Sequence, residues 1–169
     1  MLGPSIAITQ GVRVACAAVL LAEHGRRAED GEVCSFAYSV RYDMPSPYEL
    51  REMGCEHCAG SFVEAQLDSR HWVFTDGGGK VSEVRGKAVV GHHPHLTIAS
   101  DGAPYTPFVY QSQTGPTRTP TLQRGGFDFV PGTLSRALGA PFYATCAPLL
   151  LRVPADDGGE IHGSGQSSP

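Results

Sequence analysis

Cys55 and Cys58 have the spacing of a metal-ligand pair, and they are the first candidates for chemistry in this chain. Two cysteines separated by two residues can supply half of a tetrahedral zinc site. The remaining two ligands would come from a partner protein or from the histidines of the chain, namely His71, His92, His93 and His95. The alternative is a solvated loop with two free thiols, which is favoured because the chain has no second Cys-x-x-Cys motif. Zinc at Cys55 and Cys58 is thus the one cofactor considered.

The stretch from Gly86 to Gly91 is a candidate anion site. Arg85 and Lys87 could supply positive charge, and glycine backbone N–H groups can approach a nucleotide or pyrophosphate closely. A phosphohydrolase would be one enzyme built on such a site. Ala88, however, adds a Cβ where the closest approach would fall, and no helix is expected after this strand. The favoured alternative is bulge or turn geometry on an edge strand.

Residues 44–66 form a candidate partner-binding element because they lack a sustained hydrophobic period. Long loops without regular structure are usually functional or disordered. Protein interfaces favour aromatic residues and methionine, and this insert mixes such residues with charged ones. The residues expected to contact a partner are Tyr48, Leu50, Met53 and Phe62. The alternative is a mobile insertion without a role.

No nucleophile, base and orienting group can be assembled from the sequence, so we expect no enzymatic activity. The 169 residues suffice for one domain. The 21 glycines and 13 prolines break helices, which argues against a bundle of long helices. A formal charge of −4 argues against autonomous binding to duplex nucleic acid. We expect no membrane association because no apolar run is long enough to cross a bilayer.

The five cysteines are an odd number, and three lie in apolar runs, which argues against a secreted disulfide framework. We therefore expect an intracellular, reducing compartment. The run 14–22 could pass for the apolar part of a signal peptide, but it continues directly into the charged residues 23–27. It is interpreted as part of the fold.

Short segments with alternating apolar residues predict about seven strands. The first lies within 8–21, with a short helix over 15–23 as the alternative, and 24–31 is expected to be a polar loop. A hairpin is expected around the glycines at 77–79. Further alternating segments lie at 33–42, 108–112, 126–130 and 141–153. This pattern is typical of an all-β sandwich of two antiparallel sheets.

The segment from Ser69 to Gly91 resembles the signature of the ApaG domain family, through its Ser-Arg-His-Trp start and its Glu-Val-Arg-Gly and Val-Val-Gly groups. Further matches keep the family's order, and they lie at 9–14, 36–38, 94–96, 108–112, 119–120 and 126–127. The chain departs from the pattern in its longer insert, in Ala88 instead of a glycine, and in an extra residue near 122–125.

The resemblance implies a fibronectin type III-like (immunoglobulin-like) sandwich over residues 9–153. Residues 154–169 are expected to form a mobile tail, because they are rich in glycine, serine and aspartate and offer almost no apolar anchor. The resemblance also implies an interaction module, since the family includes F-box proteins and the polymerase-delta-interacting protein. Bacterial ApaG proteins have suggested links to metal tolerance and to nucleotide or pyrophosphate binding, and no catalytic mechanism is established for them.

The function expected from the sequence is that of a non-enzymatic, protein-interaction subunit of a larger intracellular assembly. A mitochondrial ribosome or another ribonucleoprotein, with RNA contact, is one expected setting, and the cytoplasm is the alternative compartment. Two other classes remain as alternatives: a small-anion or nucleotide-binding protein at Arg85, Gly86, Lys87 and Gly91, and a metal-binding domain at Cys55 and Cys58.

Overall fold

The chain folds almost entirely into antiparallel strands in the computed structural model, which describes residues 4–28, 31–98 and 107–153. Alternation of apolar side chains sets their orientation, as at Val12, Val14 and Cys16, all buried on one face of a strand. The predicted tail at 154–169 lies outside the described residues.

Eleven strands lie within the described residues: β1 (Ser5–Thr9), β2 (Val12–Ala28), β3 (Gly31–Asp43), β4 (Glu64–Thr75), β5 (Val81–Lys87), β6 (His95–Thr97), β7 (Phe108–Gln113), β8 (Thr117–Arg118), β9 (Thr121–Thr133), β10 (Arg136–Ala137) and β11 (Phe142–Leu151). One helix, α1 (Pro47–Glu52), and a 3₁₀ turn, Glu56–Cys58, lie between β3 and β4.

The strands form two sheets. Sheet I has the order β1-β2-β3-β7, and β8 also pairs with β3. In sheet II, β9 lies between β4 on one side and both β10 and β11 on the other, while β5 and β6 pair with β4. The named strands pair antiparallel throughout. The predicted all-β, fibronectin type III-like sandwich is confirmed.

Aromatic side chains from both sheets meet in the core. Tyr42 of sheet I packs edge-on against Phe127 of sheet II, with ring centroids 4.8 Å apart. Trp72, which is 1 % exposed, packs edge-on against the same Phe127 at 5.2 Å. Trp72 is therefore a buried packing anchor of the sandwich.

Strand β2 differs from its expected form. It is a strand through 15–23, so the helical alternative is wrong, and it continues to Ala28, where a polar loop was expected. Its register against β3 shifts twice beyond Leu20, and the pairing ends at Ala28 and Gly31. Because ladder hydrogen bonds satisfy backbone groups whatever the side chains are, a polar sequence can extend a hairpin that hydrophobic alternation does not mark.

The insert between β3 and β4 lacks a sustained period, with a short helical turn over 48–53 as the alternative for that part, and the structure has a helix there. Ser46 caps α1: its hydroxyl accepts a hydrogen bond from the Glu49 N–H at 3.2 Å, and the Glu49 carboxylate accepts one from the Ser46 N–H at 2.8 Å. Pro47 occupies the first turn, where its missing N–H costs nothing. The Ser-Pro-Tyr-Glu sequence is thus a capping box, and the predicted irregular insert contains an ordered helical turn.

Candidate functional site

A groove lies where the two sheets end, between edge strands β5 of sheet II and β7 of sheet I. Its volume is about 370 Å³, and it is lined by β3, β4, β5, β7 and the segment 114–117. The hairpin predicted around residues 77–79 supplies one wall, because it places β5 beside β4. The groove is open to solvent.

Aromatic rings form the floor of the groove. Tyr38 of β3 and Trp72 of β4 are both at least nine-tenths buried, and their rings meet edge-on at 5.9 Å. Phe74 is partly buried two residues further along β4 and extends this apolar floor. The floor can therefore accept an apolar group from outside while its rings stay fixed by the core.

Strand β5 forms one wall and presents an open edge. Among the described strands it pairs with β4 alone. Every residue of β5 except Gly86 is exposed. Ser82 and Val84 point toward the groove, and Val84 is 43 % exposed. The free edge therefore offers backbone N–H and C=O groups, and the adjoining inner face offers an apolar side chain.

Charged groups on the outer face of β5 are already paired with one another. Glu83 accepts a hydrogen bond from Arg85 Nε at 2.5 Å, and His71 Nε2 lies 2.8 Å from the same carboxylate oxygen. Arg85, and to a smaller extent His71, lowers the pKa of Glu83. Lys87 forms an ion pair with Asp68. The contacts of Glu83 with His71 and of Lys87 with Asp68 join β5 to β4 through their side chains.

The candidate anion site is not assembled as one cluster. The cations of Arg85 and Lys87 are each engaged by a carboxylate, and Gly91 lies in a separate tight turn. Close packing explains why position 86 is a glycine, because a Cβ there would lie 3.1 Å from Nη1 of Arg70. This guanidinium donates hydrogen bonds to the carbonyls of Lys87 and Ala88 at the end of β5. The geometry favours the turn and edge-strand interpretation.

Val90 and Gly91 form the two-residue turn that follows, with φ of 43° and 80°. Reciprocal backbone hydrogen bonds between Val89 and His92, 2.9 Å in both directions, close the turn. Positive φ is unfavourable for a β-branched residue, whereas Asn followed by Gly is the preferred pair in such turns.

We expect Val90→Asn to raise the free energy of unfolding by about 1 kcal/mol, because Asn tolerates the left-handed conformation. Val90 is 59 % exposed, so little apolar burial is lost. Urea denaturation is the measurement. Val109→Asn is the matched control at an exposed position of β7, and it should not stabilise the protein, since Asn is disfavoured in strands. A destabilised Val90→Asn protein would contradict the strain assigned to this turn.

Cys55 and Cys58 lie at the 3₁₀ turn and are partly exposed. Their proximity and the desolvation of the site raise the pKa of Cys58. Within the described residues, no group of three or more His, Cys, Asp or Glu side chains is arranged to hold a metal ion. The pair thus supplies half of a site, and zinc binding at Cys55 and Cys58 stays a prediction that requires ligands from outside the described part of the chain.

Two of the four residues expected to contact a partner are used inside the domain. Leu50 is 2 % exposed, so its side chain is buried and, against expectation, offers a partner almost no surface. Phe62 is partly buried, and its ring packs against Phe142 with centroids 5.2 Å apart. Tyr48 and Met53, exposed by 64 % and 41 %, remain available. The apolar residues of the insert are thus divided between the interior and the surface, and composition alone does not distinguish the two groups.

The sequence analysis did not predict the groove as a site, although several of its lining residues lie in the segments that resemble the ApaG signature. A signal was present in β5, where Val81 and Val84 stand among polar residues without the regular alternation of a half-buried strand. Such a strand has no strongly buried face, as expected for an exposed edge.

Comparisons with known proteins find relatives along most of the chain. A family model for the ApaG domain matches residues 25–131. The chain is 33 % identical over 151 residues to Protein ApaG of Anaeromyxobacter dehalogenans, covering 89 % of this chain and 96 % of that protein. It is 41 % identical over 92 residues to Protein ApaG of Pseudomonas fluorescens, covering 54 % of this chain and 64 % of that protein.

A longer relative is F-box protein SKIP16 of Arabidopsis thaliana, which is 29 % identical over 150 residues. This match covers 89 % of the chain but 32 % of the F-box protein. The chain therefore spans about a third of that relative and just under two thirds of the Pseudomonas protein. The names of these relatives state no catalytic activity.

Two solved structures share the architecture. A Bordetella pertussis protein described as ApaA superposes with a TM-score of 0.62 at 30 % identity, covering 88 % of this chain and 98 % of that chain. An X-ray structure of a structural genomics target gives 0.61 at 24 % identity, covering 96 % and 99 % of the two chains, and supports the fold alone. None of the helices within the described residues has the length and apolar character needed to cross a membrane.

Proposed function

Because the chain belongs to the ApaG domain family, we propose that it is a non-enzymatic protein-interaction module that captures an extended segment of a partner protein along β5. The observation that carries this proposal is the free edge of β5 beside an aromatic-floored groove. The partner segment adds as a further strand of sheet II and inserts an apolar side chain into the groove.

Strand addition suits β5 because, among the described strands, it pairs with β4 alone, so the backbone groups of residues 81–86 that face away from β4 lack a neighbouring strand there. An incoming strand gains main-chain hydrogen bonds from this edge, and pockets for alternate side chains provide specificity. The partner's inward side chains alternate with outward ones, so one inward side chain reaches Trp72 and Phe74 while its neighbours face solvent.

The polar groups that line the groove favour a peptide over a purely apolar ligand. The polar residues Ser82, Ser112 and Thr117 line it together with the aromatic floor. Small-molecule and peptide sites commonly combine an apolar lining with a few convergent polar groups. The charged side chains of β5, namely Glu83, Arg85 and Lys87, are all engaged in ion pairs, so this edge presents no unpaired charge of its own. Such an edge suits a neutral extended segment.

The relatives support a modular role. The match to the F-box protein covers only 32 % of that protein, so a domain of this type occurs there as part of a longer chain. A domain that recurs both in small bacterial proteins and inside a longer chain is suited to binding rather than to a chemistry that needs further domains.

Site-directed photocrosslinking tests the proposal. A benzophenone amino acid at position 84 should capture one partner protein in cells, with the crosslinks confined to a single extended segment. The synthetic peptide of that segment should bind the purified protein, and Val84→Lys should weaken its affinity at least about tenfold, because a charge replaces the groove's apolar wall.

Leu150→Lys is the matched control. Leu150 is also 43 % exposed, and it lies on β11 at the opposite side of sheet II. This variant should bind the peptide as the wild type does, and the probe at position 150 should not capture the same segment. Equal crosslinking at both positions, or a peptide affinity that ignores Val84→Lys, would contradict the proposal.

A further inference from the structure

Two cysteines that are 130 positions apart in the sequence meet in the core. Sγ of Cys16 lies 3.0 Å from Sγ of Cys146. Cys16 lies on β2 of sheet I and Cys146 on β11 of sheet II, so the two sulfurs face one another across the sandwich. Both residues are buried, at 1 % and 3 % exposure.

This contact lies on the side of the sandwich away from the groove. There β1 lies beside β2 at the edge of sheet I, and Ser5 is the pairing partner of Cys16. The N–H of Thr145, next to Cys146, donates a hydrogen bond to the Thr9 hydroxyl of β1 at 3.3 Å. The sheets are therefore held together by backbone and side-chain contacts around the thiol pair, and the sulfurs have little freedom to move apart.

We infer that Cys16 and Cys146 are a modification site at which a peroxide oxidises the two thiols to an inter-sheet disulfide. Closing the bond needs an approach of about 1 Å, because a disulfide is about 2.05 Å long. The inference is independent of the function proposed for the groove.

The oxidation consumes one molecule of hydrogen peroxide and yields one disulfide and two molecules of water. The Cys146 thiol first gives up its proton, and the resulting thiolate attacks a peroxide oxygen and breaks the O–O bond. The departing hydroxide takes up that proton, so the products are a sulfenic acid at Cys146 and one water. The Cys16 sulfur then attacks the Cys146 sulfur, the S–O bond breaks, and hydroxide leaves as a second water with the Cys16 proton. Two thiols lose two electrons, and the peroxide gains them.

The environment distinguishes the two sulfurs. The contact with the Cys16 thiol, aided by the Ser5 hydroxyl and opposed by burial, lowers the pKa of Cys146. The same contact, together with burial, raises the pKa of Cys16. Cys146 is accordingly the sulfur that carries negative charge more readily, and Cys16 resolves the sulfenic acid. Peroxide reaches the pair through local opening of the short edge strand β1.

The test uses the full chain carrying Cys55→Ser and Cys58→Ser, which removes the partly exposed thiol pair and keeps Cys16, Cys34 and Cys146. The protein is incubated with hydrogen peroxide, alkylated in denaturant and mapped by mass spectrometry without reduction. The expected result is a peptide pair linked between Cys16 and Cys146, with a mass loss of two hydrogens. The melting temperature should rise by about 10 °C and return after treatment with dithiothreitol.

Cys146→Ala in the same background should abolish both the linked peptide and the rise in melting temperature, while Cys34→Ala should leave both unchanged. The mapping of the parent protein does not depend on whether either variant folds. Cys16 and Cys146 both recovered as alkylated thiols would overturn the inference. So would a sulfinic acid at Cys146 without a crosslink, or a disulfide that involves Cys34 or a second chain.

Discussion

Replacing Trp72 by alanine should lower the free energy of unfolding by about 3–5 kcal/mol, the cost typical of removing a large aromatic side chain from a core. Trp72 is 1 % exposed, and its ring touches three others: Tyr38 at 5.9 Å, Phe127 at 5.2 Å and Phe74 at 6.5 Å. The cavity left behind cannot collapse easily, because strands on both sides of β4 fix the surrounding backbone. Urea denaturation followed by tyrosine fluorescence or circular dichroism measures the loss.

Tyr48→Ala provides the control, since this aromatic side chain is 64 % exposed on α1 and its removal should change stability by less than about 0.5 kcal/mol. Trp72→Phe should fall between the two, because it keeps an aromatic ring in the cavity. A Trp72→Ala protein as stable as Tyr48→Ala would contradict the assignment of Trp72 as the central packing residue between the sheets.

Gly125→Ala should destabilise the protein by roughly 2–6 kcal/mol, through backbone strain together with a steric clash. Gly125 lies in β9 with φ of +145°, a conformation that residues with a side chain rarely adopt. A Cβ at this position would stand 2.0 Å from the carbonyl oxygen of His71 on the neighbouring strand β4. Because the obstacle is backbone, the two central strands of sheet II would have to separate. Soluble yield and the urea midpoint report the effect.

Gly79→Ala separates the clash from the strain. Gly79 also has positive φ, +80°, but an added Cβ would meet nothing within 4 Å. This variant should cost only about 1 kcal/mol, the ordinary penalty of the left-handed region. Equal losses for the two variants would show that conformation alone, rather than the close approach of β9 to β4, makes Gly125 necessary.

Much of the fold follows from local signals in the sequence. Alternating residues of β2 and β3 mark one face of each strand for the core, and the glycines at 77–79 mark the hairpin between β4 and β5. The prediction of the fold was incomplete where the structure depends on signals other than apolar alternation and glycine-rich turns. The capping box at Ser46–Glu49 is a sequence signal unrelated to apolar alternation, and the extension of β2 to Ala28 rests on backbone pairing that side chains do not mark.

The groove could not be foreseen in the same way. It exists because β5 and β7 both lack a further neighbour among the described strands on the same side of the sandwich, and that depends on strand order. Likewise, Leu50 and Met53 have similar hydrophobicity and lie three residues apart, yet only the helix placement decides that Leu50 is buried. The intracellular location, the mitochondrial or ribonucleoprotein setting and the RNA contact stay predictions.

The packing of β1 against β11 also determines when the domain can be completed during synthesis. β11 is the last described strand, and it contributes Phe142, Ala144, Cys146, Leu149 and Leu151 to the core. Until these residues leave the ribosome, sheet II lacks an edge strand and the interior of sheet I stays uncovered beside Cys16. Folding to the closed sandwich is therefore expected to follow, rather than accompany, synthesis of the chain through residue 151, and a chain released before this point exposes apolar surface that favours aggregation.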